Sequence, residues 1–317
     1  MRAVVIGAGG IGSYLGAVLA RAGRDVDLVV RGAHRDAIER DGLRVRRETD
    51  PFVVHPRCVG SALESAEADP RPVDVVLLAV KAYSLDEVAP QVRHLALAGA
   101  AVVPVLNGVD VTERLRAAGV PAGAVLDGVA YLTAFRTAPG VTEPRAAHRK
   151  VVVGSADGLA ARGLPRAVAL FEGAEIQAVI EEDIGPELWR KMAVVCSLAV
   201  LCGITGSGIG RVRAHALGRE LQERAVAEVI AVGRAAGVAL PEDAEEHVHD
   251  ILDAFPDDFY PSVLHDLKSG RPTEMEHLGG VIARLGRVSA VDTPLHDAAT
   301  CAVRLIETGE SAWGRPA

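Results

Sequence analysis

The first half of the chain alternates short unbroken apolar bursts with longer runs in which apolar residues recur every three or four positions. Bursts bounded by turn residues read as buried strands, and the longer runs as helices. Strands are expected over 2–6, 26–30, 73–80, 101–106, 151–153 and 176–180, with a helix after the first and another over 33–40 that ends near Gly42. Segments 43–45 and 52–54 read as a hairpin insertion. Pro104 suggests a distorted strand, because proline removes a ladder donor. Ser84-Leu85-Asp86-Glu87 has the capping-box pattern of a helix start. After Glu182 strand signals become few. Helices are expected over 188–201, 213–236, 241–255, 261–268, 273–285 and 294–307, with a loose tail after Thr308. The pattern therefore predicts an α/β N-terminal domain with a parallel-rich sheet, residues 1–180, followed by an all-α domain, residues 181–317.

The first strand and helix are joined by Gly7-Ala8-Gly9-Gly10-Ile11-Gly12, a G-x-G-x-x-G placed where a Rossmann-type domain binds a dinucleotide. Gly7 permits a tight turn, Gly9 lets the backbone approach a pyrophosphate, and Gly12 lets helix and strand pack closely. The helix N-terminus adds free N–H groups and a positive dipole end. An acidic residue at the end of the second strand would accept from the ribose hydroxyl of NAD. Arg31 stands there instead, and its planar fork suits a 2′-phosphate. His34 and Arg35 could add charge. NADP(H) is the expected cofactor; the alternative is that Arg31 is a solvated strand-end charge.

Composition narrows the function classes. The chain of 317 residues is 49% hydrophobic, which suits a globular protein with room for two cores. A net charge of −8 and an aromatic content of 3% argue against nucleic-acid or anionic-membrane partners. No apolar run is read as approaching the ~20 residues of a membrane span, and strand one begins too early for a signal peptide. Cys58, Cys196, Cys202 and Cys301 are scattered, without a C-x-x-C pair, so neither a metal site nor a disulfide framework is expected. They read as buried thiols of a cytoplasmic protein.

Ligands of open α/β sheets sit at the carboxyl ends of strands. Lys81 and Asn107 occupy two such ends and are candidate nicotinamide-side residues. Alone, Lys81 could be a surface lysine and Asn107-Gly108 an ordinary turn. Taken with other segments, they carry a resemblance. These are the glycine loop, Val80-Lys81-Ala82, Leu106-Asn107-Gly108, Glu187-Leu188-Trp189-Arg190-Lys191, and Ser262-Val263-Leu264-His265-Asp266-Leu267 continuing to Thr273-Glu274. In that order the chain resembles the ketopantoate reductase (2-dehydropantoate 2-reductase) family.

The resemblance implies a Rossmann domain followed by a 6-phosphogluconate-dehydrogenase-like helical domain, and NADPH-dependent reduction of a 2-oxo acid. It implies Lys191 as the catalytic lysine, Glu274 as its acidic partner and Ser262 as a substrate contact. Lys81 and Asn107 become cofactor contacts, with Asn107 also near substrate. The residue types fit: hydride delivery to a ketone leaves an alkoxide, which a charged lysine can stabilise and protonate. Without the resemblance, Glu274 reads as a solvated helix residue and Ser262 as a helix cap. The family places asparagines four and eight residues after the lysine, where this chain has Val195 and Ala199, and Cys202 stands where a threonine is common. A less polar ketone or 2-oxo acid is therefore an alternative substrate, and a non-catalytic NADP sensor a further one. The expected partner is a small molecule. Helical second domains often pair, so a homodimer is also an expectation, with no patch singled out.

Overall fold

The computed structural model describes residues 1–145 and 149–309. The chain divides into two units, one of Met1–Leu106 and Asp110–Ile184, the other of Asn107–Val109 and the chain from Gly185 onward. In the first unit β1 (Arg2–Ile6) leads through the glycine loop to α1 (Gly10–Arg21), β2 (Asp25–Val29), α2 (Gly32–Asp41), β3 (Leu43–Val45), β4 (Phe52–Val54) and β5 (Arg57–Val59). Then come α3 (Ala62–Ala68), β6 (Val75–Leu78), α4 (Leu85–Leu97) and β7 (Ala101–Pro104). A five-stranded parallel sheet has the order β5-β2-β1-β6-β7, with Ile6 level with Val29 on one side and Leu78 on the other. The chain leaves β1 toward β2 and later returns to β6 on its opposite side. A ligand crevice is thereby placed at the carboxyl ends of β1 and β6.

Both sheet faces are covered, which explains the unbroken apolar bursts. Val5, Leu28 and Leu77 pack with Tyr14, Leu15 and Leu19 of α1, while Val4, Ile6, Val76 and Leu78 pack with Leu85, Val88 and Val92 of α4. The unit continues with α5 (Val111–Ala117), β8 (Asp127–Tyr131), β9 (Ala134–Ala138), β10 (Val141–Pro144), β11 (Lys150–Gly154), α6 (Leu164–Ala169) and β12 (Gln177–Ile180). The expected hairpin β3–β4 exists, but it belongs to a four-stranded sheet, β4-β3-β10-β9. A third sheet has the order β12-β11-β8. Strands β8, β9 and β10 are absent from the sequence expectation. They are short, and Arg136, Thr137 and Ala138 of β9 are exposed, so the apolar alternation that marks a strand is missing.

Two local expectations are corrected. Ser84 makes no capping bond, because a 3-10 turn over Ala82–Ser84 runs straight into α4 and leaves Ser84 at φ −94°, ψ 1° rather than extended. Pro104 does not distort its strand. β7 lies at the sheet edge and Pro104 ends its ladder opposite Leu78, where a missing donor costs little.

The second unit holds α7 (Gly185–Thr205), α8 (Ile209–Arg213), α9 (Ala216–Ala235), α10 (Ala244–Asp253), α11 (Ser262–Lys268), α12 (Gly279–Ser289) and α13 (Pro294–Thr308). The expected helix over 213–236 starts at Ala216, with a separate short helix before it. The expected helix over 273–285 is broken: Thr273 and Glu274 lie outside any helix, Met275–His277 form a 3-10 turn, and α12 begins only at Gly279. Contrary to the sequence expectation, α7 is long and apolar enough to cross a membrane. It is the core helix of this unit, with Met192, Cys196, Val200 and Leu201 buried among α9, α11 and α13. Cys196 and Cys202 are buried as expected, but Cys58 is only half-buried and Cys301 is exposed. From residue 310 on, the expected loose tail lies outside the described residues.

Candidate active site

In the first unit the glycine loop is shaped by close backbone approaches. Gly7 has φ +105°, and a Cβ there would lie 2.7 Å from the backbone of Ala79 and Val80. A Cβ on Gly12 would lie 1.9 Å from the Gly7 carbonyl oxygen. One on Gly10 would lie 1.9 Å from the Ala134 carbonyl of β9, a reason for glycine that the motif alone does not supply. Gly9 differs, since nothing stands within 4 Å of its missing side chain. That open cradle fits a pyrophosphate. Among the described residues no side chain caps α1 and no acidic residue occupies its first turn, which leaves its N-terminus suited to an anion. Ala8 and Ile11 are half-buried in the same loop. Lys81 lies three residues past the end of β6, one residue beyond the Ala79–Val80 backbone that closely approaches Gly7.

Arg31 lies two residues past the end of β2, exposed, at the N-cap position of α2. Its Nε–H donates to the Gly60 carbonyl at 3.1 Å, and its guanidinium lies 3.5 Å from Glu87. His34 cannot supply the positive charge considered for it. It is buried; the Gly140 N–H donates to its Nδ1 at 2.8 Å, so the proton sits on Nε2 and is given to Ser13 Oγ at 3.0 Å. Burial, with help from Arg136, pushes the imidazole down to about 4. His34 is a neutral brace between α2, α1 and the β9–β10 turn. Arg35 spends its charge on Glu39, at 2.8 Å, and on Glu64.

In the second unit Lys191 lies in the second turn of α7, half-buried. Burial pushes its ammonium down from the ordinary lysine value to about 8, and the attraction of Glu274 acts in the opposite sense. Glu274 is 5% exposed, so the solvated-residue alternative fails. The break in the expected helix is what places it there. Thr273 N–H donates to Glu307 Oε1 at 2.6 Å, Met275 N–H donates to Thr273 Oγ1 at 3.1 Å, and His277 N–H donates to the Glu274 carbonyl at 2.9 Å. Val195 and Ala199 continue the Lys191 face of α7 at helical spacing; Val195 is half-buried and Ala199 buried. Ser262 is the exposed first residue of α11, and Pro261, not Ser262, is the cap. Asp266, one turn on, is committed to Arg271 through two bonds of 3.0 and 2.9 Å. Asn107 is half-buried, and Val109 beside it packs on the helical core.

A nucleotide-type glycine loop on a parallel sheet, and a buried lysine–carboxylate pair in a helical unit, define a class: oxidoreductases acting on CH–OH groups. The family models for ketopantoate reductase PanE/ApbA and its C-terminal part match residues 3–158 and 183–307. A 2-dehydropantoate 2-reductase of Mesorhizobium japonicum is 30% identical over 325 residues, covering 96% of this chain and 97% of its own. A PanE/ApbA family ketopantoate reductase from Ralstonia eutropha superimposes with a TM-score of 0.84 at 28% identity, covering 97% of this chain and 99% of its own. A D-mandelate dehydrogenase, solved with NADH and anilino(oxo)acetate, shares the fold at a TM-score of 0.85 and 23% identity, covering 97% of this chain and 99% of its own. The chain belongs to the ketopantoate reductase family.

Proposed function

We propose that this protein reduces a 2-oxo acid to the 2-hydroxy acid with NADPH, as 2-dehydropantoate is reduced to pantoate. In this reading residues 1–180 bind the cofactor and residues 181–317 supply the proton donor. Gly7 to Gly12 and the N-terminus of α1 hold the pyrophosphate, Arg31 the 2′-phosphate, and Lys81 and Asn107 the nicotinamide side. When bound, the reduced nicotinamide supplies the hydride. Lys191 holds a proton at Nζ, stabilises the negative charge that builds on the ketone oxygen, and hands the proton over. Glu274 orients the ammonium and favours its charged form. Ser262 and Asn107 contact the substrate.

One observation carries this reading: a half-buried lysine, set near neutrality at about 8 and facing a buried carboxylate, is poised as a general acid. The test compares wild type and Lys191→Ala on a panel containing 2-dehydropantoate and a phenyl-substituted 2-oxo acid, following NADPH oxidation. We expect turnover by wild type, a loss of ~10²–10⁴ in kcat for the variant, and NADPH affinity nearly unchanged. Retention of most activity by the variant sinks the assignment of Lys191. A second reading, a less polar 2-oxo acid or ketone, is favoured by Val195 and Ala199, which offer no hydrogen bond beside the lysine. Preference for 2-dehydropantoate by orders of magnitude excludes it. Robust turnover of any ketone excludes a non-catalytic sensor.

A further inference from the structure

We infer that Glu307, on the last turn of α13, is a positioning residue for the Lys191–Glu274 pair. It anchors the backbone of the loop that carries Glu274. The inference rests on the proposed roles of Lys191 and Glu274. The loop has no helix ladder of its own at this point, since α11 ends at Lys268 and the next turn begins at Met275. Its backbone must therefore find partners elsewhere.

On one side of Glu274, the Thr273 N–H donates to the Glu307 carboxylate at 2.6 Å, and Thr273 is itself buried. Such a bond is charge-assisted and stronger than one between neutral groups. On the other side Met275 is fully buried, and its Cε packs into the space left by Gly203 of α7, where a Cβ would lie 3.1 Å away. Val303 of α13 enters the same space, 3.0 Å from that position. Glu307 lies one turn beyond Val303, on the same face of α13. The Thr273 hydroxyl ties the two sides together by accepting from Met275 N–H. Glu274 is thus held between a residue tethered to α13 and a residue seated on the lysine's own helix. Loss of the Glu307 tether frees one side only, so the loop shifts without losing its apolar seat. A second link between α13 and this loop, Arg304 to Glu276 at 3.1 Å, has both side chains exposed and contributes little.

The test measures pH profiles of kcat/KM, together with kcat, the KM for NADPH and the thermal midpoint, in Glu307→Ala, Glu307→Gln, Arg304→Ala, Glu274→Gln and Lys191→Ala. Glu274 attracts the Lys191 ammonium and holds its proton more firmly. Glu307→Ala is expected to lower kcat roughly ten- to hundredfold and to leave the KM for NADPH unchanged. It should also move the alkaline limb to lower pH, in the direction that Glu274→Gln moves it. Glu307→Gln keeps an oxygen that accepts from Thr273 N–H, and should retain most of the rate and the wild-type limb. Arg304→Ala should match wild type. If Glu307→Ala does not fold, Glu307→Asp carries the test, one methylene short of Thr273, with a smaller shift in the same direction. A wild-type rate and limb in Glu307→Ala overturn the inference, as does a Glu307→Gln as impaired as Glu307→Ala, which would make the charge and not the tether responsible. If Lys191→Ala is inactive and Glu274→Gln shifts the limb while Glu307→Ala does not, only this inference falls. An active Lys191→Ala removes the reading beneath it.

Discussion

In the first unit the surface proposed to meet the cofactor is backbone, and what shapes it is the absence of side chains at Gly7, Gly9, Gly10 and Gly12. In the second unit the surface proposed to react is a pair of side chains, from residues 83 positions apart in sequence, with a third segment bonded to the loop that carries one of them. The first arrangement is local and rigid, written in one stretch. The second is assembled from two helices and a loop, and its proposed chemistry depends on burial. The difference predicts different ways of failing. Damage to the loop should act on folding or on cofactor affinity, whereas damage to the lysine site should act on rate and pH dependence.

The strongest separation lies within the loop itself. Gly12→Ala would force a Cβ to 1.9 Å from the Gly7 carbonyl oxygen, a backbone atom that cannot give way cheaply. It should cost about 3 kcal/mol or more of stability. Gly9→Ala meets nothing within 4 Å, so its denaturation midpoint should stay within about 0.5 kcal/mol of wild type. Its NADPH affinity should fall at least roughly tenfold, because the methyl fills the cradle offered to the pyrophosphate. Chemical denaturation and a fluorescence titration with NADPH measure the two effects. Equal destabilisation by both substitutions would erase the distinction between structural and ligand-facing glycines.

This contrast also explains what the sequence disclosed. Apolar bursts, strand ends and the glycine spacing are local patterns, so the parallel sheet and the loop were legible in the order of residues, although the neighbours that demand Gly7 and Gly10, Ala79 and Ala134, lie far along the chain. The sheet β4-β3-β10-β9 was legible only in its hairpin, because β9 carries exposed residues and β10 pairs with β3 across about a hundred positions. Lys191 and Glu274 were legible through resemblance and not through pattern. Nothing in the run 273–285 announces that Glu307 pulls Thr273 out of a helix. His34 misled for the same reason: a histidine three residues after Arg31 suggests added charge, but its burial against Ser13 and Gly140 is decided partly by residues far along the chain.

The next largest effect concerns pH. With the Lys191 ammonium at about 8, kcat/KM for reduction should be level below that value and fall roughly tenfold per pH unit above it. Stability should respond in the opposite sense. A lysine whose folded value lies below its unfolded value binds fewer protons when folded, so stability rises as pH climbs from about 8 toward the ordinary lysine range. Lys191→Met should abolish turnover, but it leaves the buried Glu274 carboxylate without the lysine's charge, so it should not stabilise the fold at neutral pH; Lys191→Met combined with Glu274→Gln, which removes both charges, should be more stable than Lys191→Met alone. A rate that holds constant to pH 10, or a double variant that melts earlier than Lys191→Met, would contradict the burial argument.

Smaller still is the effect of Arg31→Ala. The guanidinium is exposed and its pairing with Glu87 is loose at 3.5 Å, so stability should change by less than about 0.5 kcal/mol. The ratio of kcat/KM for NADPH over NADH should fall roughly tenfold if the fork meets a 2′-phosphate. An unchanged ratio would return Arg31 to the solvated-charge alternative, leaving the glycine loop, Lys81 and Asn107 as the proposed cofactor site.

The smallest expected effect on function tests the second unit alone. Val195 lies one turn beyond Lys191 and is only half-buried, so Val195→Asn places an amide on the lysine's face without burying it fully. The swap is nearly isosteric and should cost about 1 kcal/mol of stability. An amide there can bond a substrate hydroxyl or carboxylate that valine cannot, and a site that offers such a bond discriminates against substrates lacking the group. The selectivity for 2-dehydropantoate over a phenyl-substituted 2-oxo acid should rise several-fold, with the alkaline limb unmoved because the Lys191–Glu274 pair is untouched. A selectivity that falls instead would mean that valine already packs against an aliphatic part of the preferred substrate. The apolar face would then be a specificity device of this chain rather than a lost hydrogen bond.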